Sequence, residues 1–386
     1  MPPRVHPSAI LPAHHVLPPA ADASTLSNAI TAAVALDEAL VAQKIPYAIV
    51  GGVAIAALLG IAVDVEKHHT VFHGTRLPAR LGDPIDFITY TFARVTKDLD
   101  FDWLLATRAN PLNIWQTVHG LGLLPSPSLH GQVVGHAGQV TAHAQGQFHA
   151  SAGGPNGVTV HWVPQAGHGI ACDVHPQTRL AGLLNFEHVN SLYAPGNHLI
   201  RRVPVADLHH NVLGHINVWQ PWLLLLLKLA AWAGRTAGAE KDLLDCRMLL
   251  EASAHGQNLG LTVAELHRHW EHSLSDAGKA VLGRVRLRIG MRMEVPRLIQ
   301  HMNQWEQPFV LGRAGGFGDH ALDPNVARRA GIARWQTFFN TMDQILEPIP
   351  MPATVHSLAK TPDLSHSPFF PRARGAQRVV VERWYL

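Results

Sequence analysis

Two aspartates stand one residue apart in Thr96-Lys97-Asp98-Leu99-Asp100-Phe101. On a strand, side chains alternate, so Asp98 and Asp100 share one face, ~6–7 Å apart, while Leu99 and Phe101 bury the other. Paired carboxylates of this kind are a donor set for a hard divalent cation such as Mg²⁺. That ion takes oxygen ligands and keeps positions for water and substrate phosphates. Two such ions about 3.5–4 Å apart can activate an attacking hydroxyl and stabilise a leaving oxygen. Asp102 extends the alternation as a spare ligand or a strand-end acid. Alone, an Asp-x-Asp also describes an ordinary solvated strand face.

A second feature lies upstream. Tyr47-Ala-Ile-Val50 reads as a short buried strand running into Gly51-Gly52 and then an apolar helix over 53–59. Glycine lets backbone N–H groups approach a phosphate closely, and a helix N-terminus favours anions. A Gly-Gly pair is equally the mark of a plain tight turn.

The elements that must position these groups follow from periodicity. Apolar residues at helical spacing predict a helix over 24–44, ended by Pro46. Residues 94–103 read as a strand and 111–121 as a short helix. Three strands are expected at 132–144, 158–163 and 170–175. Helices are expected at 219–232, 240–254, 261–274, 277–288 and 324–346. The chain is therefore α/β, with a small mixed-sheet unit over 23–205 and an all-helical unit over 206–346. Residues 1–22, rich in Pro, Ala and His, read as a disordered leader, and 347–386 as a Pro-rich tail.

In order, helix, strand, Gly-Gly, helix and an Asp-x-Asp strand resemble the minimal nucleotidyltransferase superfamily, which has a polymerase-beta-like fold. The AbiEii-type toxin branch is the most similar. The resemblance covers roughly 28–253. It implies that Gly51 and Gly52 hold the triphosphate and that Asp98 and Asp100 hold metal. The family's third carboxylate falls on Asp173 in Ile170-Ala-Cys-Asp-Val-His175, the only acid between Asp102 and Glu187. It would be a ligand, with the role of base also open to it. The helical half adds Leu227-Lys228-Leu229, Arg235 and Lys241-Asp242-Leu-Leu-Asp245. Lys228 and Arg235, seven residues apart, fall on one helix face and imply a cationic contact to nucleotide. Lys241 and Asp245 have the spacing of a helical ion pair. Gly52 and Asp98 stand 46 residues apart, longer than the family's usual spacing, which makes 61–93 an insertion.

The activity so implied is Mg²⁺-dependent transfer of a nucleotide from an NTP to an acceptor hydroxyl on RNA, protein or a small molecule. The alternative is an inactive descendant that binds nucleotide or RNA.

Composition bounds these readings. In 386 residues, 47% are hydrophobic and 15% charged, with a net charge of +3, so the chain can build a core and is no polycation. Cys172 and Cys246 are too few for a disulfide scaffold and suit a reducing, cytoplasmic setting. The run Trp222–Leu227 is cut short by Lys228, well below the ~20 apolar residues that cross a bilayer, so no membrane partner is expected. Among 27 histidines, His68-His69-x-x-x-His73 and the set His267, His269, His272 lack the ligand number and fixed spacing of a zinc site. Arg284, Arg286, Arg288, Arg292 and Arg297 form the densest basic run, a solvated helix face or a nucleic-acid contact.

Overall fold

The computed structural model describes residues 23–42, 44–60, 62–64, 69–71, 74–76, 88–90, 98–104, 124–125, 132–134, 146–152, 158–164, 170–175, 178–194, 196–206, 211–235, 240–254, 258–290, 310–311 and 324–350. The readings of 1–22 as a leader, 111–121 as a helix and 351–386 as tail fall outside them. So do His68 and His73.

The chain is α/β. A nine-stranded mixed sheet has the order β12-β13-β1-β6-β11-β10-β9-β8-β7. Its centre is β1 (Tyr47–Val50), β6 (Asp98–Trp103), β11 (Ile170–His175) and β13 (Val212–Trp219), with β12 (Ile200–Ala206) at one edge. The far side is β10 (Val158–Pro164), β9 (Gly146–Ala152), β8 (Gln132–Val134) and β7 (Leu124–Pro125). β1 runs parallel to β13 and β6 parallel to β11, while β1 and β6 are antiparallel.

Three sequence expectations change here. The sheet is larger than a minimal one. β9 was not expected, and the strand expected over 132–144 is described only as Gln132–Val134. The boundary at 205 also moves, because β13 belongs to the sheet, and the helical part begins at α4 (Pro221–Gly234). Within the expected insertion lie short strands: β2 (Ala62–Asp64) pairs with β3 (His69–Val71), and β4 (Gly74–Arg76) with β5 (Ile88–Tyr90). β5 also pairs with β14 (Val310–Leu311).

Helix α1 (Ala23–Ala42) stops two residues before the expected end, where Lys44 takes a left-handed conformation at φ 57°. There Ile45 N–H bonds back to the Leu40 carbonyl, satisfying an orphan acceptor of the last turn. A Cβ on Gly214 would stand 2.5 Å from Val34, so α1 packs on the face shared by Gly214, Ile216 and Val218. Register carries that face through Ile49, Phe101 and Val174. These residues are buried, and Asp98, Asp100 and Asp102 point the opposite way.

α2 (Gly51–Leu58) follows β1 without an intervening turn. α3 (Phe186–Leu192) is capped by Asn185. α4 starts with Pro221 and buries Trp222, Leu223–Leu226, Leu229 and Trp232, so it is apolar around most of its circumference. Around it stand α5 (Glu240–Ala254), α6 (Val263–Ser273), α7 (Asp276–Gly290) and α8 (Pro324–Leu346). α6 opens with a capping box, Thr262 with Glu265. No helix among the described residues is long and apolar enough to cross a membrane.

Candidate functional site

The antiparallel register places Val50 opposite Asp100, which brings the first residue of α2 over that carboxylate. Gly51 has φ +72°, and a Cβ there would lie 2.8 Å from Asp100 Oδ2. A left-handed backbone and a filled space both call for glycine at this position. Gly51 thus makes the left-handed step from β1 into α2, and Gly52, which follows it in the helix, is buried. Val50, the N-cap, offers no side-chain cap to the orphan N–H groups of the first turn.

The parallel register of β6 and β11 sets Asp173 opposite Asp100, and His175 opposite Asp102. Asp98, Asp100 and Asp173 therefore share one face on neighbouring strands. Asp173 is exposed, while Asp98 and Asp100 are half-buried. Burial raises the pKa of Asp100 from 3.8 to about 6, and the charges of Asp98 and Asp173 add to it. His175 and Lys228 act in the other direction. Three like charges meet here in a partly dry place, an arrangement that a cation relieves. Among the described residues, no three His, Cys, Asp or Glu side chains already converge closely enough to hold a metal ion.

Asp102 proves to be a strand-end acid with its own task. At 2% exposure it accepts from Thr178 Oγ1 at 2.5 Å and Trp219 Nε1 at 2.8 Å on Oδ2, and meets His175 Nδ1 at 3.0 Å on Oδ1. Burial pulls the His175 pKa down. The bond to Asp102 and the charges of Asp102 and Asp100 outweigh it, so the net direction is up. His175, Thr178 and Trp219 were not singled out from the sequence. The available signal was the alternation Asp173-x-His175 matching Asp100-x-Asp102.

Lys228 is buried in α4, and its ammonium sits 3.3 Å from Asp242 Oδ1 and 2.5 Å from Asp245 Oδ2. Its charge is still felt at Asp100. Arg235 does not continue the helix face of Lys228. α4 ends at Gly234, and Arg235 is extended, with Nη1 2.9 Å from Asp242 Oδ2. Both cations expected at the nucleotide thus converge on Asp242. Arg288 closes this end: it lies 4.4 Å over the Trp232 ring and donates to the Trp232 carbonyl and, at 3.0 Å, to that of Arg235. Arg286 donates to the Ile349 carbonyl at 2.6 Å. Two arginines of the basic run are therefore occupied inside the helical part, and Arg292 and Arg297 lie outside the described residues. On α6, His269 stacks on Trp222 and His267 meets the Gln344 carbonyl.

No family model matches the chain, and no curated protein matches it. Among solved structures, the chain is similar to an antigenic nucleotidyltransferase-like protein from Paracoccidioides brasiliensis. The two are 13% identical, over 72% of this chain and 94% of that chain, with a TM-score of 0.35. A likeness that loose carries no argument about fold or chemistry.

Proposed function

We propose that this protein is a nucleotidyltransferase that moves a nucleotide from an NTP to an acceptor hydroxyl. The observation that supports it is the meeting of three elements: Asp98 and Asp100 on β6, Asp173 opposite Asp100 on β11, and the Gly51 start of α2 directly over Asp100. The α2 N-terminus offers N–H groups and a favourable dipole for phosphate. In the transfer, the acceptor oxygen bonds to the α-phosphorus, its proton leaves to solvent, and the bond to the bridging oxygen breaks. Pyrophosphate departs with that electron pair.

The carboxylate trio fits a divalent cation in donor type, in sharing a face and in its mutual repulsion. In our reading the ion is Mg²⁺, held by Asp98, Asp100 and Asp173. When bound, it would neutralise charge on the triphosphate and lower the cost of ionising the hydroxyl. Lys228, whose field reaches Asp100, and Arg235 would face the phosphates, with Asp242 and Asp245 balancing them until nucleotide arrives. The ordered set Lys228, Arg235, Asp242, Asp245 is what favours the AbiEii-type branch. Both cysteines are free and buried, in keeping with a cytoplasmic setting.

The test is incubation with each α-labelled NTP, Mg²⁺ and cell lysate, followed by nuclease and protease treatment to identify the labelled fraction. Asp98→Asn with Asp100→Asn should abolish labelling in a folded protein. Equal labelling by the double variant would remove the site from the reaction. NTP binding without labelling by the wild type would reverse the reading in favour of a nucleotide-binding descendant.

A further inference from the structure

We propose that the contact of α3 with the end of α6 is a pH-sensitive joint, closed while His188 is neutral and opened when its ring gains a proton. The inference does not depend on the transferase reading.

Hydrogen bonds fix the state of the ring. The Asn185 side chain donates from Nδ2 to the His272 carbonyl at 2.6 Å, which turns its Oδ1 toward α3. That oxygen accepts from the His188 backbone N–H at 3.1 Å and meets His188 Nδ1 at 2.9 Å. An amide oxygen only accepts, so Nδ1 carries a proton. On a neutral ring Nε2 is then an acceptor, and it stands 3.0 Å from the Oγ of Ser273, the last residue of α6. The Ser273 hydroxyl supplies the hydrogen of that bond. Ser273 is 2% exposed, so this series of side chains serves packing rather than attack on a substrate. A protonated ring presents N–H on both sides. The Ser273 oxygen could still accept, but its own hydrogen would turn into a buried place with no acceptor among the described residues, which is costly.

Neighbouring charges push the same way. His198 in the segment before β12 and His269 on α6 become cationic in the same pH range, while Glu187 on α3 opposes them. Burial, and then the charge of His198, hold the His188 pKa below its ordinary 6.5. His269 is held low by burial, Arg268 and His188, against Glu265, and its ring stacks on Trp222 with centroids 4.8 Å apart. A lowered folded pKa gives stability that is complete above 6.5 and is lost as pH falls from there.

The same contact stitches backbone to backbone. Asn185 N–H donates to the Ser273 carbonyl at 2.9 Å, Ser275 N–H donates to the Leu183 carbonyl at 3.0 Å, and Leu184 bridges Leu274. A Cβ on Gly278 would stand 2.2 Å from the Leu183 oxygen, so α7 lies directly on this segment. The segment belongs to the connection that leaves β11, and Trp222 stands at the start of α4. Acid therefore loosens the helices from that connection.

The test is hydrogen exchange on the full chain near pH 7.5, 6.5 and 5.5, corrected for the intrinsic effect of pH. The amides of Asn185, Val189 and Ser275 report the joint, and those of β1 report the sheet. Joint protection should drop about 10-fold across the series, the size expected for one buried hydroxyl left without its acceptor, while β1 holds. His188→Gln places a neutral amide near the Nε2 position and does not titrate, so its joint protection should be flat. Ser273→Ala has no hydroxyl to strand and should lose most of the pH dependence. Wild-type joint protection that is flat in pH, or that falls only in parallel with β1, would overturn the proposal. So would an undiminished pH dependence in His188→Gln, which would put the titration elsewhere. If His188→Gln fails to fold, Ser273→Ala decides alone, and an undiminished pH dependence there overturns the joint.

Discussion

Asp100→Asn removes the most strained charge of the site while keeping its shape. The wild-type carboxyl ionises near 3.8 when unfolded and near 6 when folded, because it is buried beside Asp98 and Asp173. At about 1.4 kcal/mol per pH unit, that difference is about 3 kcal/mol of lost stability once the group is charged. Screening by the solvent that a half-buried carboxyl still meets lowers this to ~2 kcal/mol. The sign follows from proton counting. Below the unfolded pKa both states hold the proton, and nothing is lost. Between about 4 and 6 the unfolded chain has released a proton that the folded chain keeps, so stability falls as pH rises. Above about 6 the loss is complete and constant. Asparagine does not titrate. The variant should therefore match the wild type near pH 4, pull ahead through pH 4–6 and lead by ~2 kcal/mol at pH 7.5. Urea unfolding at four pH values, in chelator and low salt, measures this. Added Mg²⁺ should then stabilise the wild type alone and narrow the gap, by mass action on the folded state. A variant less stable at pH 7.5, or an offset equal at both ends of the series, would refute the description of Asp100 as a buried member of a like-charge cluster.

Lys228→Met should be strongly destabilising, although the apolar surroundings of α4 alone suggest the reverse. It leaves Asp242 and Asp245 buried without their shared ammonium, a loss of roughly 3–5 kcal/mol in urea titrations. Wild-type stability would mean that the network is energetically neutral. Gly51→Ala forces a side chain into a left-handed backbone, costing roughly 1–2 kcal/mol, and pushes a methyl into Asp100 Oδ2. The melting temperature should fall, and Mg²⁺ should rescue less of it than in the wild type. Unchanged melting and Mg²⁺ response would mean that nothing depends on the absent side chain at 51.

Local pattern carried much of this protein. The alternation of Asp98, Leu99, Asp100 and Phe101 determines which side chains are buried and which share the open face, because a strand has a period of two wherever it lies. The end of β1 at Val50, the bounds of α5 and α8, and the α/β class follow from equally local signals: glycines, prolines and helical spacing. Pairing is different in kind. That Asp173 stands opposite Asp100, and His175 opposite Asp102, depends on β11 joining β6 in parallel with one register. A slip of one residue would turn every side chain of β11 to the other face. Segments about 70 residues apart in the chain settle that register through the burial of Ile170, Cys172 and Val174 against the far side. The sheet's extent was illegible for the same reason, since β13 looks like the threshold of a helical unit until β1 pairs with it. The fate of Lys228 was beyond the sequence too. An ammonium on an apolar helix must find an anion or water, and only the packing of α5 against α4 brought Asp242 and Asp245 within reach before any phosphate.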